Sequence, residues 1–257
     1  MRSSARFAGI VAAIVLTTGG TLPARAGGFP ARFGVEFSGC AESIGVGLAP
    51  TANVLALTPP EFIPVGMGTP VSPIVVRTAN CAGIAVDGDK LKPGIIVQVG
   101  ALIVPPQPGA GDINNYAFWY YTTHAKLAHR LQDIGVGAQH VATIRYDLEA
   151  EEACVAGDLG VVVRRPGEPA FALSGTVTPS HAPAGSFEAI WWQKGATGTV
   201  RMDTLVPLIK IGSANLVLAT NPANALGELI GGGALGFPVI QQFNEFARAQ
   251  MGASVTP

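Results

Sequence analysis

The chain has 257 residues, with 16 basic and 17 acidic side chains and a net charge of -1 at pH 7. Only 13% of the residues are charged, while 33 glycines and 20 prolines are typical of many short strands joined by tight turns. This balance argues against binding of nucleic acid or an anionic membrane surface through charge, and it predicts a β-rich core.

The first 26 residues have the pattern of a cleaved export signal. Arg2 and Arg6 precede an apolar run over residues 7–16, and Ala24-Arg25-Ala26 supplies the small residues that a signal peptidase requires. The run is too short to cross a bilayer, and no later segment is long enough without a glycine, proline or charge, so we expect no membrane span. Cleavage after Ala26 would leave a secreted or periplasmic protein with 13 basic and 17 acidic residues, a net charge of -4.

Residues 27–257 contain no Ser/Gly-rich linker and no run of charges, so we expect a single domain, which could form an oligomer. Three cysteines in an exported chain predict one disulfide and one remaining thiol. Cys40 and Cys81 each lie next to an expected strand end, so we predict that they pair. Cys154 follows an acidic run, which disfavours its thiolate, and is expected to be an inert or structural thiol.

In chain order, strands are expected at 34–38 and 72–78, with a short helix between them that is capped by Thr51 and ended by Pro59 and Pro60. The apolar stretch at 95–104 predicts a strand buried on both faces, and the aromatic stretch at 115–122 predicts another. Further strands are predicted at 139–148, 159–164, 171–178, 187–193, 198–203 and 215–218.

Three more helices are predicted. One begins after Thr123, with Leu127, Leu131 and Ile134 on one face, and ends at Gly135. A second covers 223–230 after the Asn221-Pro222 pair, and a third begins at Pro238. The third rests on an apolar stripe made of Ile240, Phe243, Phe246 (or Ala247) and Met251. The fold class is therefore α+β, a mostly antiparallel β-barrel or sandwich with a few peripheral helices.

Several segments in this order resemble the acetoacetate decarboxylase-like β-barrel family. The segment at 57–62 (Leu-Thr-Pro-Pro-Glu-Phe) resembles the family's leucine-proline turn, and 95–104 with Pro105-Pro106 resembles its long central strand. The strand at 115–121, the following helix with Arg130 and Gly135, and the hairpin at 191–201 also fit. The resemblance spans Gly34 to Ala219 and implies a single barrel of that type.

One departure from the family decides what chemistry the resemblance implies. Family members decarboxylate keto acids through a lysine whose lowered pKa lets a neutral amine form a Schiff base. Here the corresponding turn at 135–140 reads Gly-Val-Gly-Ala-Gln-His and contains no lysine. Lys90 and Lys92 lie in an exposed turn, Lys126 lies on a helix surface and Lys194 lies at a hairpin tip. Schiff-base decarboxylation is therefore not expected.

Other site chemistry is limited to a few residues. His140 lies next to the vacant lysine position and could act as a general acid or base, although a structural histidine is the alternative. His124 and His129 are five residues apart and do not share a helix face as two zinc ligands would, so no metal is expected. Incomplete glycine and serine motifs also lead us to expect no cofactor.

The aromatic residues are candidates for the wall of a ligand pocket. Strict alternation would place Tyr116, Phe118 and Tyr120 on one face of their strand and Trp119 and Tyr121 on the other. The remaining candidates are Trp192 and two strand arginines, Arg77 and Arg201, which could pair with a carboxylate or simply face water. The proposed ligand-binding set is Arg77, Tyr116, Trp119, Tyr120, Trp192 and Arg201.

Two functions from different classes remain open. The first is binding of a small apolar or oxo-acid-like molecule without Schiff-base chemistry. The second is a lyase or hydrolase that uses lysine-independent acid/base chemistry through His140. A structural or envelope-associated role is a third possibility, and no nucleic-acid partner is expected.

Overall fold

The structure is a computed structural model that describes residues 33–108, 110–150, 153–164 and 170–256. The export signal expected at residues 1–26 lies outside this part of the chain. Within it, the strands are β1 (Phe33–Pro50), β2 (Val71–Val86), β3 (Lys92–Leu102), β4 (Ile113–Thr122), β5 (Ala138–His140), β6 (Ile144–Leu148), β7 (Gly157–Val163), β8 (Phe171–Thr178), β9 (Pro183–Gly195), β10 (Gly198–Thr220), β11 (Ala234–Gly236) and β12 (Ile240–Thr256). The helices are α1 (Thr51–Leu57), α2 (Ala125–Asp133) and α3 (Ala225–Ile230).

Seven of the described strands close into a barrel. Neighbours follow the order β12-β1-β2-β3-β4-β9-β10, and β10 pairs again with β12. Every pairing around this ring is antiparallel except the one between β4 and β9. Closure leaves these strands without a free edge, because each backbone ladder finds a partner on both sides. The prediction of a mostly antiparallel barrel with a few peripheral helices is confirmed.

A second sheet packs on the outside of the barrel. The last residues of β10 leave the ring and pair with β8, and the sheet continues through β7 to β6. A second hydrophobic core fills the space between this sheet and β2, β3 and β4. Its buried members include Val76, Val97, Val99, Tyr121, Val161, Leu173 and Leu216. This core explains why β3 is apolar on both faces, as its sequence predicts.

Helix α2 packs on the barrel core, and its ends are set by local hydrogen bonds. Leu127 and Leu131 belong to the same buried cluster as Trp191 and Tyr120. The capping residue is His124 rather than the predicted Thr123, because Nδ1 of His124 accepts a hydrogen bond from the amide of Leu127 at 3.2 Å. Likewise, α3 is capped by Asn224 rather than by Asn221.

The helix predicted from Pro238 is wrong, since residues 240–256 form strand β12. The periodicity is misleading because β12 is buried on both faces: Phe243 packs in the second core, whereas Phe246 and Met251 face the barrel core. The side-chain alternation of β12 also shifts between Phe246 and Ala249, so inward residues change from even to odd numbers. Together these effects produce apolar spacings of three, three and five residues, which resemble a helical stripe.

The other strand predictions need smaller corrections. The predicted strand at 139–148 is two strands, β5 and β6, and the predictions at 198–203 and 215–218 are parts of the single strand β10. Each of these errors lies at a boundary where glycines or a loop interrupt the apolar pattern.

Cys40 and Cys81 are direct partners across β1 and β2, and they form the predicted disulfide with a Cα–Cα distance of 4.0 Å. Cys154 is a free thiol and is exposed. None of the described helices has the length and apolar character needed to cross a membrane.

Candidate functional site

A row of residues in register crosses the inner face of the barrel. Arg77 on β2 pairs with Gln98 on β3, Gln98 pairs with Tyr120 on β4, and Tyr120 pairs with Ala138 on β5. Side chains on directly paired residues of neighbouring strands point to the same face of a sheet. Tyr120 and Ala138 lie in the buried cluster inside the barrel, so Arg77 and Gln98 face that interior as well.

Arg77 is held inside the barrel by a carboxylate and an amide. Its Nε and Nη2 atoms each lie 2.5 Å from Oε2 of Glu42, and its Nη1 atom donates to Oε1 of Gln98 at 2.6 Å. Asn244 on β12 donates from Nδ2 to Oε1 of Glu42 at 3.1 Å. The four side chains form a largely buried cluster with no net charge, which we call the interior polar cluster: Glu42, Arg77, Gln98 and Asn244.

Tyr120 lies in the same row, on the other side of Gln98 from Arg77. Its side chain is fully buried, and the loss of water around the hydroxyl raises its pKa far above the usual range, although the charge of Arg77 opposes this. The hydroxyl therefore stays protonated at neutral pH and can donate a hydrogen bond.

Three buried polar atoms on the inner face lack a hydrogen-bond partner among the described residues. They are Oδ1 of Asn115, Nε1 of Trp191 and Oδ1 of Asn244. Asn115 and Trp191 are themselves direct partners across β4 and β9. Buried polar groups nearly always have a partner, which can be a water molecule or a ligand. The barrel interior thus contains a hydrogen-bond donor and two acceptors that have no partner within the described residues.

The turn that resembles the family's lysine position points a small side chain into this interior. Ala138 is 2% exposed and lies at the end of the row that contains Arg77, Gln98 and Tyr120. All five lysines of the chain lie within the described ranges, and each is exposed: Lys90, Lys92, Lys126, Lys194 and Lys210. Two of them form surface ion pairs, Lys126 with Asp89 and Lys194 with Glu61.

The structure places the predicted histidine and metal candidates away from a common site. His140 is exposed at the end of β5, where it pairs with Thr122 in the sheet, whereas His124 is buried as the cap of α2. No group of three or more His, Cys, Asp or Glu side chains that could hold a metal ion occurs within the described ranges.

The aromatic strand does not follow the predicted alternation. The register between β3 and β4 shifts between Val99 and Gly100, which leaves Phe118 as an extra residue. Consequently Tyr116 packs against Phe62 at a ring-centroid distance of 4.7 Å in an outer cluster, while Tyr120 faces the barrel interior. Trp119 packs against the second core.

The predicted binding residues are therefore dispersed rather than gathered around one pocket. Trp192 lies in the outer cluster with Tyr116, and its Nε1 donates to Asn114 at 2.9 Å. Arg201 lies 5.3 Å from the ring of Trp192 and is paired with Asp203 at 2.5 Å. A small cavity of about 110 Å³ adjoins Tyr116, Trp119, Leu57, Ala117, Phe118 and Gln193. Of the six predicted residues, only Arg77 and Tyr120 belong to the row inside the barrel.

Three members of the interior polar cluster were not predicted from the sequence: Glu42, Gln98 and Asn244. A signal exists for Gln98, which is the one uncharged polar side chain in the apolar run from Ile95 to Val104. Glu42 and Asn244 have no such signal, because they come from strands whose pairing is set only by the closed barrel.

Comparisons with known proteins agree on the fold. No protein-family model matches the chain, and no curated protein sequence matches it. Among solved structures, an acetoacetate decarboxylase-like enzyme from Sphingomonas wittichii RW1 is 10% identical, with a TM-score of 0.56 over 87% of this chain and 92% of that one. The enduracididine biosynthesis enzyme MppR complexed with pyruvate is 11% identical, with a TM-score of 0.53 over 90% of this chain and 93% of that one.

A third structure extends the likeness to an acetoacetate decarboxylase. The enzyme from Legionella pneumophila subsp. pneumophila str. Philadelphia 1 is 13% identical, with a TM-score of 0.54 over 87% of both chains. The protein thus has the fold of the acetoacetate decarboxylase-like superfamily, as its sequence segments indicated, and is a divergent example of that fold.

Proposed function

We propose that the barrel interior binds a small apolar or oxo-acid-like molecule without forming a Schiff base. The observation that carries the proposal is Arg77, a cation whose side chain is only 12% exposed and which lies in register with Tyr120 and Ala138. A guanidinium has five N–H donors, and Arg77 uses one each on Nε, Nη1 and Nη2. Two donors therefore remain for a carbonyl or carboxylate oxygen.

The neighbours of Arg77 supply further hydrogen-bond donors and acceptors for a ligand. The protonated hydroxyl of Tyr120 and the indole Nε1 of Trp191 are further donors, and the free amide oxygens of Asn115 and Asn244 are acceptors. Apolar residues surround them, which is the usual composition of a small-molecule site. MppR, which shares the fold, was solved with the oxo acid pyruvate.

The placement of the lysines supports a role other than Schiff-base decarboxylation. A reactive lysine needs an environment that lowers its pKa, and that requires burial or a close cation. Each lysine here is exposed to water, and the inward-facing turn position carries Ala138. We also propose that the protein acts outside the cytoplasm, which the disulfide supports, and as one domain, which strand β10 supports because it belongs to both the barrel and the second sheet.

Isothermal titration calorimetry with pyruvate and 2-oxobutyrate tests the proposal. The variant Arg77→Met/Glu42→Gln removes the charged pair without leaving a lone buried charge, and we expect it to weaken binding at least about tenfold. A matched control, Arg201→Met/Asp203→Asn, removes a pair on the outer face and should bind as the natural protein does. Equal affinity in the two variants would refute a site at Arg77.

Reduction with borohydride in the presence of pyruvate, followed by intact-mass spectrometry, tests the chemistry separately. We expect the protein mass to remain unchanged, because a Schiff base is needed for the reductant to trap the ligand. A stable adduct on any lysine would contradict the proposal. Loss of turnover of a bound substrate in His140→Ala would instead favour the acid/base enzyme.

A further inference from the structure

Three neighbouring strands of the barrel are interrupted at the same level. The pairing of β10 with β12 runs to Leu205 and Gln250 and resumes at Lys210 and Glu245, with the residues between them unpaired in the ladder. The pairing of β1 with β12 omits Gly39 at the same level. The barrel wall therefore opens where these three strands meet.

Local sequence accounts for the opening. Gly39 has a φ of +56°, which a glycine adopts without strain and which departs from the extended backbone of a strand. Pro207 on β10 has no amide hydrogen and cannot donate to the ladder. Residues of two strands, β1 and β10, therefore cause the interruption.

The opening forms a cleft of about 530 Å³, which lies within the range of small-molecule sites. Cys40 and Phe246 are buried at its base, and Leu208 is 57% exposed beside it. This cleft, which we call the β1–β10–β12 cleft, involves none of the residues of the interior polar cluster.

Three charged side chains border the apolar surface of the cleft. They are Lys210, Glu245 and Arg248, and none of them forms an ion pair within the described part of the chain. Two cations and one anion give the cleft a net positive charge. An apolar base with a cationic border is complementary to a molecule with a hydrocarbon part and a negative group.

We propose that the β1–β10–β12 cleft binds a small amphipathic carboxylate. The hydrocarbon part packs on Leu208, Phe246 and Cys40, where its burial from water drives binding. The carboxylate lies at the border formed by Lys210 and Arg248, and Glu245 limits how much negative charge the cleft accepts. This second site is independent of the interior site and its ligand.

Calorimetry with octanoate at low ionic strength tests the proposal, and 1-octanol serves as the uncharged comparison. We expect octanoate to bind about five- to tenfold more tightly than 1-octanol, and added salt to reduce the difference. Lys210→Gln and Arg248→Gln should each weaken octanoate binding about two- to fivefold, whereas Glu245→Gln should strengthen it. Lys90→Gln, in the exposed turn between β2 and β3 and outside the cleft lining, is the charge control and should have no effect.

Ala247→Trp provides a test of the cleft itself. Ala247 is exposed, so a larger side chain can be accommodated without disturbing the core, but it would occupy the space where the hydrocarbon part packs. We expect octanoate binding to be lost while the thermal unfolding midpoint stays unchanged. Three results would each overturn the proposal. They are undetectable octanoate binding to the natural protein, equal affinity for octanoate and 1-octanol, and unaltered octanoate binding in Ala247→Trp.

Discussion

Individual side chains inside this barrel show how a charge can be accommodated in an apolar core. Arg77 and Glu42 neutralise each other, and Gln98 and Asn244 provide hydrogen bonds that the pair needs when it is out of water. Such a pair contributes little net stability compared with apolar residues of the same size. It does fix one arrangement of β1, β2, β3 and β12, because a shifted register would separate the charges.

His124 gives the protein a pH-dependent component of stability. Burial lowers its pKa, and the charge of Lys92 lowers it further. Above about pH 6.5, the usual pKa of an unfolded histidine, the neutral ring caps α2 and its contribution is complete. As the pH falls below that value, the unfolded state takes up the proton first, and the stability contribution of His124 is lost through the lowered folded-state pKa.

We therefore expect urea unfolding of the natural protein to show a greater loss of stability between pH 7 and pH 5 than that of His124→Asn. Asparagine caps helices well and does not titrate, so it keeps the cap in both conditions. Identical pH dependence in the two proteins would show that the protonation of His124 is not linked to folding.

The sequence identifies some of the polar residues inside the barrel and misses others, for a physical reason. Arg77 and Tyr120 could be predicted because an arginine in a strand and a tyrosine in an aromatic run are unusual locally. Glu42 could not, since its partner Asn244 lies 202 residues away in the chain. Their contact depends on β12 pairing with β1, and a single sequence carries no signal for that pairing.

At the level of elements, the packing of β3, β4 and β9 depends on one glycine. Gly100 lies opposite the register shift in β4, and a Cβ there would overlap the carbonyl oxygen of Tyr116 and lie 2.9 Å from Cζ3 of Trp191. The indole of Trp191 thus fills space inside the barrel that a side chain on β3 would otherwise require.

Gly100→Ala should lower the free energy of unfolding by about 1–3 kcal/mol, because either the backbone of β4 or the indole must move. Chemical denaturation measures the change. Gly160→Ala on β7 is the matched control, since its Cβ would meet no atom within 4 Å. For Gly160→Ala we expect no loss in the free energy of unfolding and a gain of up to about 1 kcal/mol, because alanine restricts the unfolded chain more than glycine does. Equal effects at both positions would contradict this account of Gly100.

Strand β12 shows the limit of periodicity as a predictor. Its sequence satisfies a helical stripe because apolar residues of a strand buried on two faces need not alternate. Strands β3 and β4 were predicted correctly, since their β-branched and aromatic residues leave no helical alternative. The bulge at Phe118 was not predicted from the sequence, because a bulge depends on the partner strand.

At the level of the whole molecule, β10 joins the barrel to the second sheet, and the disulfide joins β1 to β2 inside the barrel. The two cysteines are 41 residues apart in the chain, so the bond restricts a sizeable loop of the unfolded state. Cys40→Ala/Cys81→Ala should lower the free energy of unfolding by about 2–4 kcal/mol in a denaturant titration. Cys154→Ala removes the exposed thiol and should leave stability unchanged; a comparable loss in that variant would contradict the assignment.

The closed ring has a consequence for how the protein behaves at high concentration. Strand addition between molecules requires an edge with unpaired backbone groups, and at the end of the second sheet that edge is β6, which has only five residues. Its sequence places Arg145 and Asp147 on that edge, where they form an exposed ion pair at 2.5 Å. A short edge strand that carries both charges is a poor template for a neighbouring chain, so β6 protects a molecule with many strands and few charges from forming intermolecular sheets.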